Sequence, residues 1–306
     1  MKKTILKENI RPLPNEPVRF KDMGNIKEIM YSKKHNFQCH ILKLNSEMYV
    51  DLNTGEVKNF EHIENRADDK NSVRTSIGRL RDVINTNVIN TEYCLWVTLT
   101  YAENMTDTKQ LYEDFKKFTM RMRYNNYDFE YIVAMEPQGR GAWHAHLIMI
   151  FKEKAPFIPN EKLSEIWGHG FVKVKKLDDV DNVGAYLTAY LGDMDFAEFK
   201  KAGFELEKCK AVKWLDTVDE SGNSVPKAIV KGARLVLYPP KFNLYRCSRG
   251  IKKPAVEKIS SEDAEKKVST LIPTFERTVI IEDEQINYDN ILNYRYFNTL
   301  KTKKQE

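Results

Sequence analysis

Apolar positions change their period several times along this chain, and each change marks an element. From Val73 onward, Val73, Ile77, Leu80 and Ile84 recur at helical spacing with Arg74, Arg79 and Arg81 between them, which predicts a basic amphipathic helix. CLWVTLTY (94–101) is continuous, apolar and rich in branched side chains, the pattern of a buried strand. A helix is expected over 106–122, where Thr106 or Asp107 can cap the chain and Leu111, Phe115, Phe118 and Met122 form an apolar stripe. FEYIVAME (129–136) reads as a strand, PQGRGA as a turn and WHAHLIMIF (143–151) as the next strand. NEKLSEIW (160–167) is a short helix stopped by Gly168, FVKVKKL (171–177) a strand and DVDNVGAYLTAYL (179–191) a helix.

The middle third therefore reads β-α-β-β-α-β-α, and two consecutive strands joined by a short turn argue for an antiparallel or mixed sheet. Residues 1 to about 70 read as irregular, apart from a hairpin in YVDLNTGEVKNF around Asn53-Thr54-Gly55. Past residue 257, TVII reads as a strand and YDNILNYRYF as a helix.

Composition narrows the class. With 306 residues, 42% hydrophobic and 30% charged, the chain is globular. A formal charge of +5 is mildly basic and compatible with a nucleic-acid partner. Cysteines at 39, 94, 209 and 247 form no CxxC pair, which signals neither a zinc knuckle nor a disulfide framework and fits a reducing compartment. MKKTILKENIRPLP has no apolar core of a signal peptide, and LIMIF is too short to cross a bilayer, so a cytoplasmic protein without membrane contact is expected. No GxxxxGK[ST] loop occurs, which argues against a P-loop ATPase or helicase domain.

Candidate chemistry lies in GRGAWHAHLIMIF (139–151). Side chains alternate along a strand, so His144 and His146 share one face, roughly 7 Å apart at Cα. If the hairpin is centred near Arg140, Glu136 lies opposite His144, with Cβ atoms about 5 Å apart. A histidine in a strand is ordinarily only structural. Two on one face with a placed carboxylate can instead hold a divalent cation with open positions. In GAYLTAYL, Tyr186 and Tyr190 lie four apart, one above the other on a helix, either as part of its buried side or as reactive groups.

WVTLTY, then E…HAHLI, then YLTAY, in that order, resemble the three motifs of the HUH endonucleases, named for His–hydrophobic–His, and in particular the rolling-circle replication initiators of plasmids and phages. The resemblance spans about residues 94 to 194, and RCSRGIKKP (246–254) adds a weaker echo. It implies an α+β fold with a central antiparallel sheet of about five strands flanked by helices. The implied organisation is an N-terminal region with the basic helix over 1–90, a nuclease core over 91–200 and a basic, aromatic C-terminal region over 201–306 that packs on the core and contacts DNA. It further implies a metal-dependent nick of single-stranded origin DNA that leaves a 5′-phosphotyrosine and a free 3′-OH, with later strand joining. The implied metal is Mg2+ or Mn2+ on Glu136, His144 and His146. Tyr186 matches the leading nucleophile and Tyr190 the second, and the implied partners are origin DNA and a host helicase and polymerase. Two positions depart from the pattern: Ala145 is smaller than the usual residue between the histidines, and Ala189 stands where many members carry lysine.

A DNA surface is sought in residues 221–256, which include no acidic residue. Lys241, Arg246, Arg249, Lys252 and Lys253 interleave there with Tyr238 and Tyr245, the mixture of charge and aromatic faces that single strands use, although a solvated loop with core aromatics has the same composition. Arg140, between two glycines, is a further candidate for a phosphate, and Arg74, Arg79 and Arg81 form a second basic group. Relaxases and transposases of the same superfamily share the constellation, and a metal-dependent hydrolase using water is the alternative chemistry. A protein that binds origin DNA without cutting it is the remaining alternative.

Overall fold

The computed structural model describes residues 2–34, 40–61, 65–177, 182–188, 191–203, 212–218, 224–283 and 288–302. The chain forms two compact units, one of residues 64–253 and one that joins residues 1–63 to 254–306.

The N-terminal segment supplies strands β1 (Lys2–Ile5), β2 (Pro17–Met23) and β3 (Ile26–Ser32) and a small meander, β4 (Ile41–Lys43), β5 (Met48–Asp51) and β6 (Val57–Asn59). The expected hairpin is therefore present, but the surrounding region is not irregular. Buried Val18 and Phe20 flank Arg19 in β2, buried Ile29 and Tyr31 flank half-buried Met30 in β3, and a turn at Gly24 (φ 67°) joins the strands.

Helix α1 (Lys70–Asn87) begins the second unit, capped by the Asp69 carboxylate, which accepts from the Ser72 N–H at 3.0 Å. The unit continues through β7 (Cys94–Thr100), α2 (Thr108–Tyr124), β8 (Glu130–Pro137), β9 (Trp143–Ile150), α3 (Asn160–Trp167) and β10 (Val172–Lys175). It then runs through α4 (Val183–Thr188), β11 (Met194–Asp195), α5 (Phe196–Lys201), β12 (Val212–Val218), β13 (Ser224–Val230) and β14 (Tyr245–Cys247). Of the helix expected over 179–191, residues 182–188 and 191 are described, and Tyr190 lies outside the described residues.

The architecture is α+β. Five antiparallel strands run in the order β10-β7-β9-β8-β14. One face of this sheet, including Val97, Leu99, Met135, Ala145 and Leu147, packs with Phe115 and Phe118 of α2 and Trp167 of α3. The other face carries Ile132, Ala134 and Ile148 and packs with Leu80 and Ile84 of α1 and Val183 of α4. His144 and His146 alternate with the core residues Trp143, Ala145 and Leu147 along β9 because successive side chains of a strand point to opposite faces.

Strand β15 (Ala255–Ser260), helix α6 (Ser261–Lys267) and strands β16 (Leu271–Asp283) and β17 (Tyr288–Thr302) close the other unit. Its six-stranded sheet has the order β1-β16-β17-β3-β2-β15. Residues 288–297 are thus strand and not helix. Asn293, Arg295 and Phe297 are buried in alternation with half-buried Tyr294 and Tyr296, which is a strand period, and the pairing of β17 with both β16 and β3 supplies its backbone hydrogen bonds.

Candidate metal centre and nucleic-acid interface

The register of the sheet builds the centre. His144 lies opposite Glu136 on β8 and Thr100 on β7, and His146 lies opposite Ala134 and Thr98. Gly141 (φ 89°) makes the tight turn, closed by the Gln138 N–H donating to the Ala142 carbonyl at 2.7 Å. Glu136 Oε2 sits 3.2 Å from His144 Nε2 and 3.3 Å from His146 Nε2. The imidazole centroids are 4.5 Å apart. His146 Nδ1 lies 3.4 Å from Thr98 Oγ1, which orients that ring.

The second Glu136 oxygen is equally constrained. Oε1 accepts from the Gly192 N–H at 2.8 Å and lies 3.8 Å from Arg234 Nε. Burial disfavours the Glu136 carboxylate, but hydrogen bonds from His144 and His146, with the charges of His146 and Arg234, outweigh it and hold the carboxyl well below its usual range. Burial dominates at His144, whose pKa is pushed below the ordinary imidazole value although Glu136 pulls the other way. A neutral imidazole beside an ionised carboxylate is the protonation state that ligates a cation, and burial favours that state at His144.

Two imidazole nitrogens and one carboxylate oxygen, all within 4.8 Å of one another, fit a divalent metal. Ligands at about 2.1 Å from a common ion and at roughly 90–105° to one another stand about 3.0–3.3 Å apart. The two separations from Glu136, 3.2 and 3.3 Å, match that spacing. Beside the triad opens a cavity of about 450 Å³, lined by Trp96, Leu187, Leu191, Asp193, Glu198 and Arg234 among others.

Arg234 has no motif in the sequence to announce it. It donates to the Asp193 carbonyl (2.6 Å), the Pro137 carbonyl (2.9 Å) and both Glu198 oxygens (3.1 and 2.6 Å). The Gly139 N–H also donates to Glu198 (2.7 Å), so the end of β8, the turn before β9 and α5 are tied together next to Glu136.

Helix α4 is docked against α1 by a close approach. The Gly184 N–H donates to Asn85 Oδ1 at 2.8 Å, and a Cβ at position 184 would stand 2.5 Å from the Arg81 carbonyl oxygen. Tyr186 is on this helix, and Gly192, four residues past Thr188, donates to Glu136. The tyrosine-bearing segment and the Glu136 carboxylate are therefore linked through backbone.

The expected DNA residues divide. Lys241, Arg249, Lys252 and Lys253 are exposed, as is Arg246, whose guanidinium carbon lies 3.4 Å from the Tyr112 ring centroid. Arg79 joins Arg246, Lys252 and Lys253 around a groove of about 380 Å³ that half-buried Tyr245 also lines. Arg140 is exposed at the turn and donates to the Gln138 side chain and the Tyr101 carbonyl, both at 3.1 Å. Tyr238 is a correction: it is 1% exposed, packs edge-on to Trp143 and donates its hydroxyl to the Met135 carbonyl at 2.9 Å. Phe242, also buried, stacks on Trp143 at 4.7 Å. These two aromatics serve the core, because the chain before β14 crosses the covered face of the sheet. His169 is not part of the triad; it lies 3.4 Å from Asp114.

An antiparallel sheet with a two-histidine, one-carboxylate cluster on its central strands defines an α+β domain equipped to hold a metal. Residues 94–195, a segment that starts with β7 and ends with β11, match the family model of the replication-associated proteins of ORF2 and gene-2-protein type. This segment, about a third of the chain, is thus similar to replication-associated proteins. No curated protein and no solved structure matches the chain. Among the described residues, no helix is long and apolar enough to cross a membrane.

Proposed function

We propose that residues 64–253 form a site-specific endonuclease that nicks single-stranded origin DNA to initiate rolling-circle replication. The observation that carries this reading is the convergence of Glu136, His144 and His146 on one face of the sheet, inside the segment that matches replication-associated proteins. Glu136, His144 and His146 would hold Mg2+ or Mn2+, which when bound supplies Lewis-acid stabilisation of the charge developing on the scissile phosphate.

Tyr186 is the proposed nucleophile. Its phenolic oxygen forms a bond to phosphorus, the bond from phosphorus to the 3′ oxygen breaks, and that oxygen takes up a proton to become a free 3′-OH. The phenol proton passes to water. The product is a 5′-phosphotyrosine, and the 3′-OH is a primer for a host polymerase, with a host helicase opening the duplex. Phenol is a weak nucleophile with a pKa near 10, so orientation on a docked helix matters as much as charge stabilisation. Tyr190 would attack the regenerated origin and join the displaced strand. Arg79, Arg246, Lys252 and Lys253 would guide the phosphates, with Lys241, Arg249 and Arg140 as further contacts.

The test is cleavage of end-labelled single-stranded origin DNA in Mn2+. Cleavage should disappear with chelator and in His146→Ala, and should fall at least about 10³-fold in Tyr186→Phe. Undiminished cleavage by the Tyr186→Phe/Tyr190→Phe double variant would replace the tyrosine with water as nucleophile.

A further inference from the structure

The unit made of residues 1–63 and 254–306 has a sheet whose two faces differ in kind. One face carries Phe20, Ile29 and Phe297 and is covered by Ala264 of α6, the core of that unit. Registered pairs place two transverse rows on the opposite face. The first runs Arg277, Tyr294, Met30, Arg19, Lys258 across β16, β17, β3, β2 and β15. The second, two residues away on each strand, runs Phe275, Tyr296, Glu28, Lys21, Val256. Each row spans about 19 Å, and the two are about 7 Å apart.

This face combines what an ordinary solvated sheet face avoids. Phe275 is 39% exposed, and its ring lies 5.9 Å from that of Tyr296, edge to face. The Arg277 guanidinium sits over the Phe275 ring at 4.9 Å. Arg277 and Lys258 are exposed at the two ends of the first row. Arg19 and Lys21 stand between, both engaging the buried Glu28 carboxylate, at 3.0 and 3.4 Å. Four cations thus face one carboxylate, which is already satisfied and holds two of them in place. Aromatic faces on central strands flanked by arginine and lysine suit a chain that alternates flat bases with phosphates.

We infer that this sheet face is a second nucleic-acid surface, which takes single-stranded DNA by stacking bases on Phe275, Tyr294 and Tyr296 and pairing phosphates with Arg277, Arg19 and Lys258. It is independent of the metal centre, which belongs to the other unit. An acidic peptide would satisfy the cations but leave the aromatic pair without a flat partner, so the single strand is the occupant the surface fits better.

The test uses the full chain in EDTA, so that nicking chemistry plays no part. A fluorescein-labelled 20-nucleotide dT strand reports affinity, and a 5-iodouracil version is photocrosslinked and mapped by peptide mass spectrometry. Crosslinks should fall in residues 271–302. Phe275→Ala/Tyr296→Ala should weaken binding at least about 25-fold, about fivefold for each lost stack. Arg277→Ala/Lys258→Ala, which alters only exposed side chains and leaves the core alone, should lower the slope of log affinity against log salt by about 1.4. Crosslinks confined to residues 64–253, or both variants binding like wild type, would overturn the inference. So would equal competition by duplex DNA or displacement by an acidic peptide alone.

Discussion

Replacing Gly184 by alanine sets two effects against each other. In an isolated helix the change favours α4 by about 1 kcal/mol, because alanine loses less backbone freedom than glycine. In this protein the new methyl would stand 2.5 Å from the Arg81 carbonyl oxygen and 2.6 Å from Asn85 Oδ1. Neither neighbour yields easily: the first is helix backbone, and the second accepts the Gly184 N–H. Relief to an ordinary carbon–oxygen contact requires α4 to move outward by close to 1 Å, and overpacking of this kind costs about 1–3 kcal/mol. Net stability should therefore change by no more than about 2 kcal/mol. The consequence for chemistry is larger, since a 1 Å misplacement of a reacting group costs on the order of 10²-fold in rate. The assay is single-turnover formation of the protein–DNA adduct, with Mn2+ affinity measured alongside by calorimetry. The adduct rate should fall about 10²-fold while metal affinity stays within twofold, because the three ligands sit on β8 and β9. A rate within threefold of wild type would refute the claim that close packing of α1 against α4 positions the nucleophile.

Arg234→Met should destabilise the chain by about 2–4 kcal/mol in urea titration, toward the low end because Glu198 is 31% exposed, and unchanged stability would remove Arg234 from its positioning role. Mn2+ affinity should fall on acidification, as protons compete with the ion for the imidazole nitrogens. The lowered pKa of His144 makes the neutral ligand form persist further into acid, and an affinity flat to about pH 5 would exclude imidazole ligation. Tyr238→Phe should cost about 1 kcal/mol from the bond lost to Met135 and leave DNA affinity unchanged, whereas Lys252→Ala/Lys253→Ala should weaken DNA binding and lower its salt dependence. A drop in affinity in Tyr238→Phe at full stability would return that ring to the interface.

The triad was readable because strand alternation and turn length fix which residues meet. Placing the turn at Arg140 is enough to set Glu136 opposite His144, and the sheet obeys that register. The helices α1, α2 and α3 were readable from their apolar stripes. Residues 288–297 were misread because the buried side of β17 carries Asn293 and Arg295, so polarity hid the two-residue period and the strand declares itself only through its neighbours β16 and β3. Strand β1 was lost for a related reason: its partner lies more than 200 positions away, with Lys2 opposite Glu282, and although β2 and β3 pair with each other, the sheet that holds them is completed by β15 and β17, equally distant in sequence. Arg234 was invisible as a positioning group because its partners at 137, 193 and 198 are brought together only by folding. Tyr238 shows the limit of composition, since an aromatic residue among cations reads the same whether it faces a base or the core.

The central claim is that a tyrosine of α4 becomes covalently joined to DNA at the Glu136, His144 and His146 centre. The most direct measurement is to incubate the protein with Mn2+ and single-stranded origin DNA, digest the denatured complex with nuclease and protease, and map the nucleotide-bearing peptide by mass spectrometry. The account predicts a phosphodiester on Tyr186, absent without metal, absent in His146→Ala and absent in Tyr186→Phe. DNA cut in a metal-dependent manner with no nucleotide on any tyrosine would contradict it.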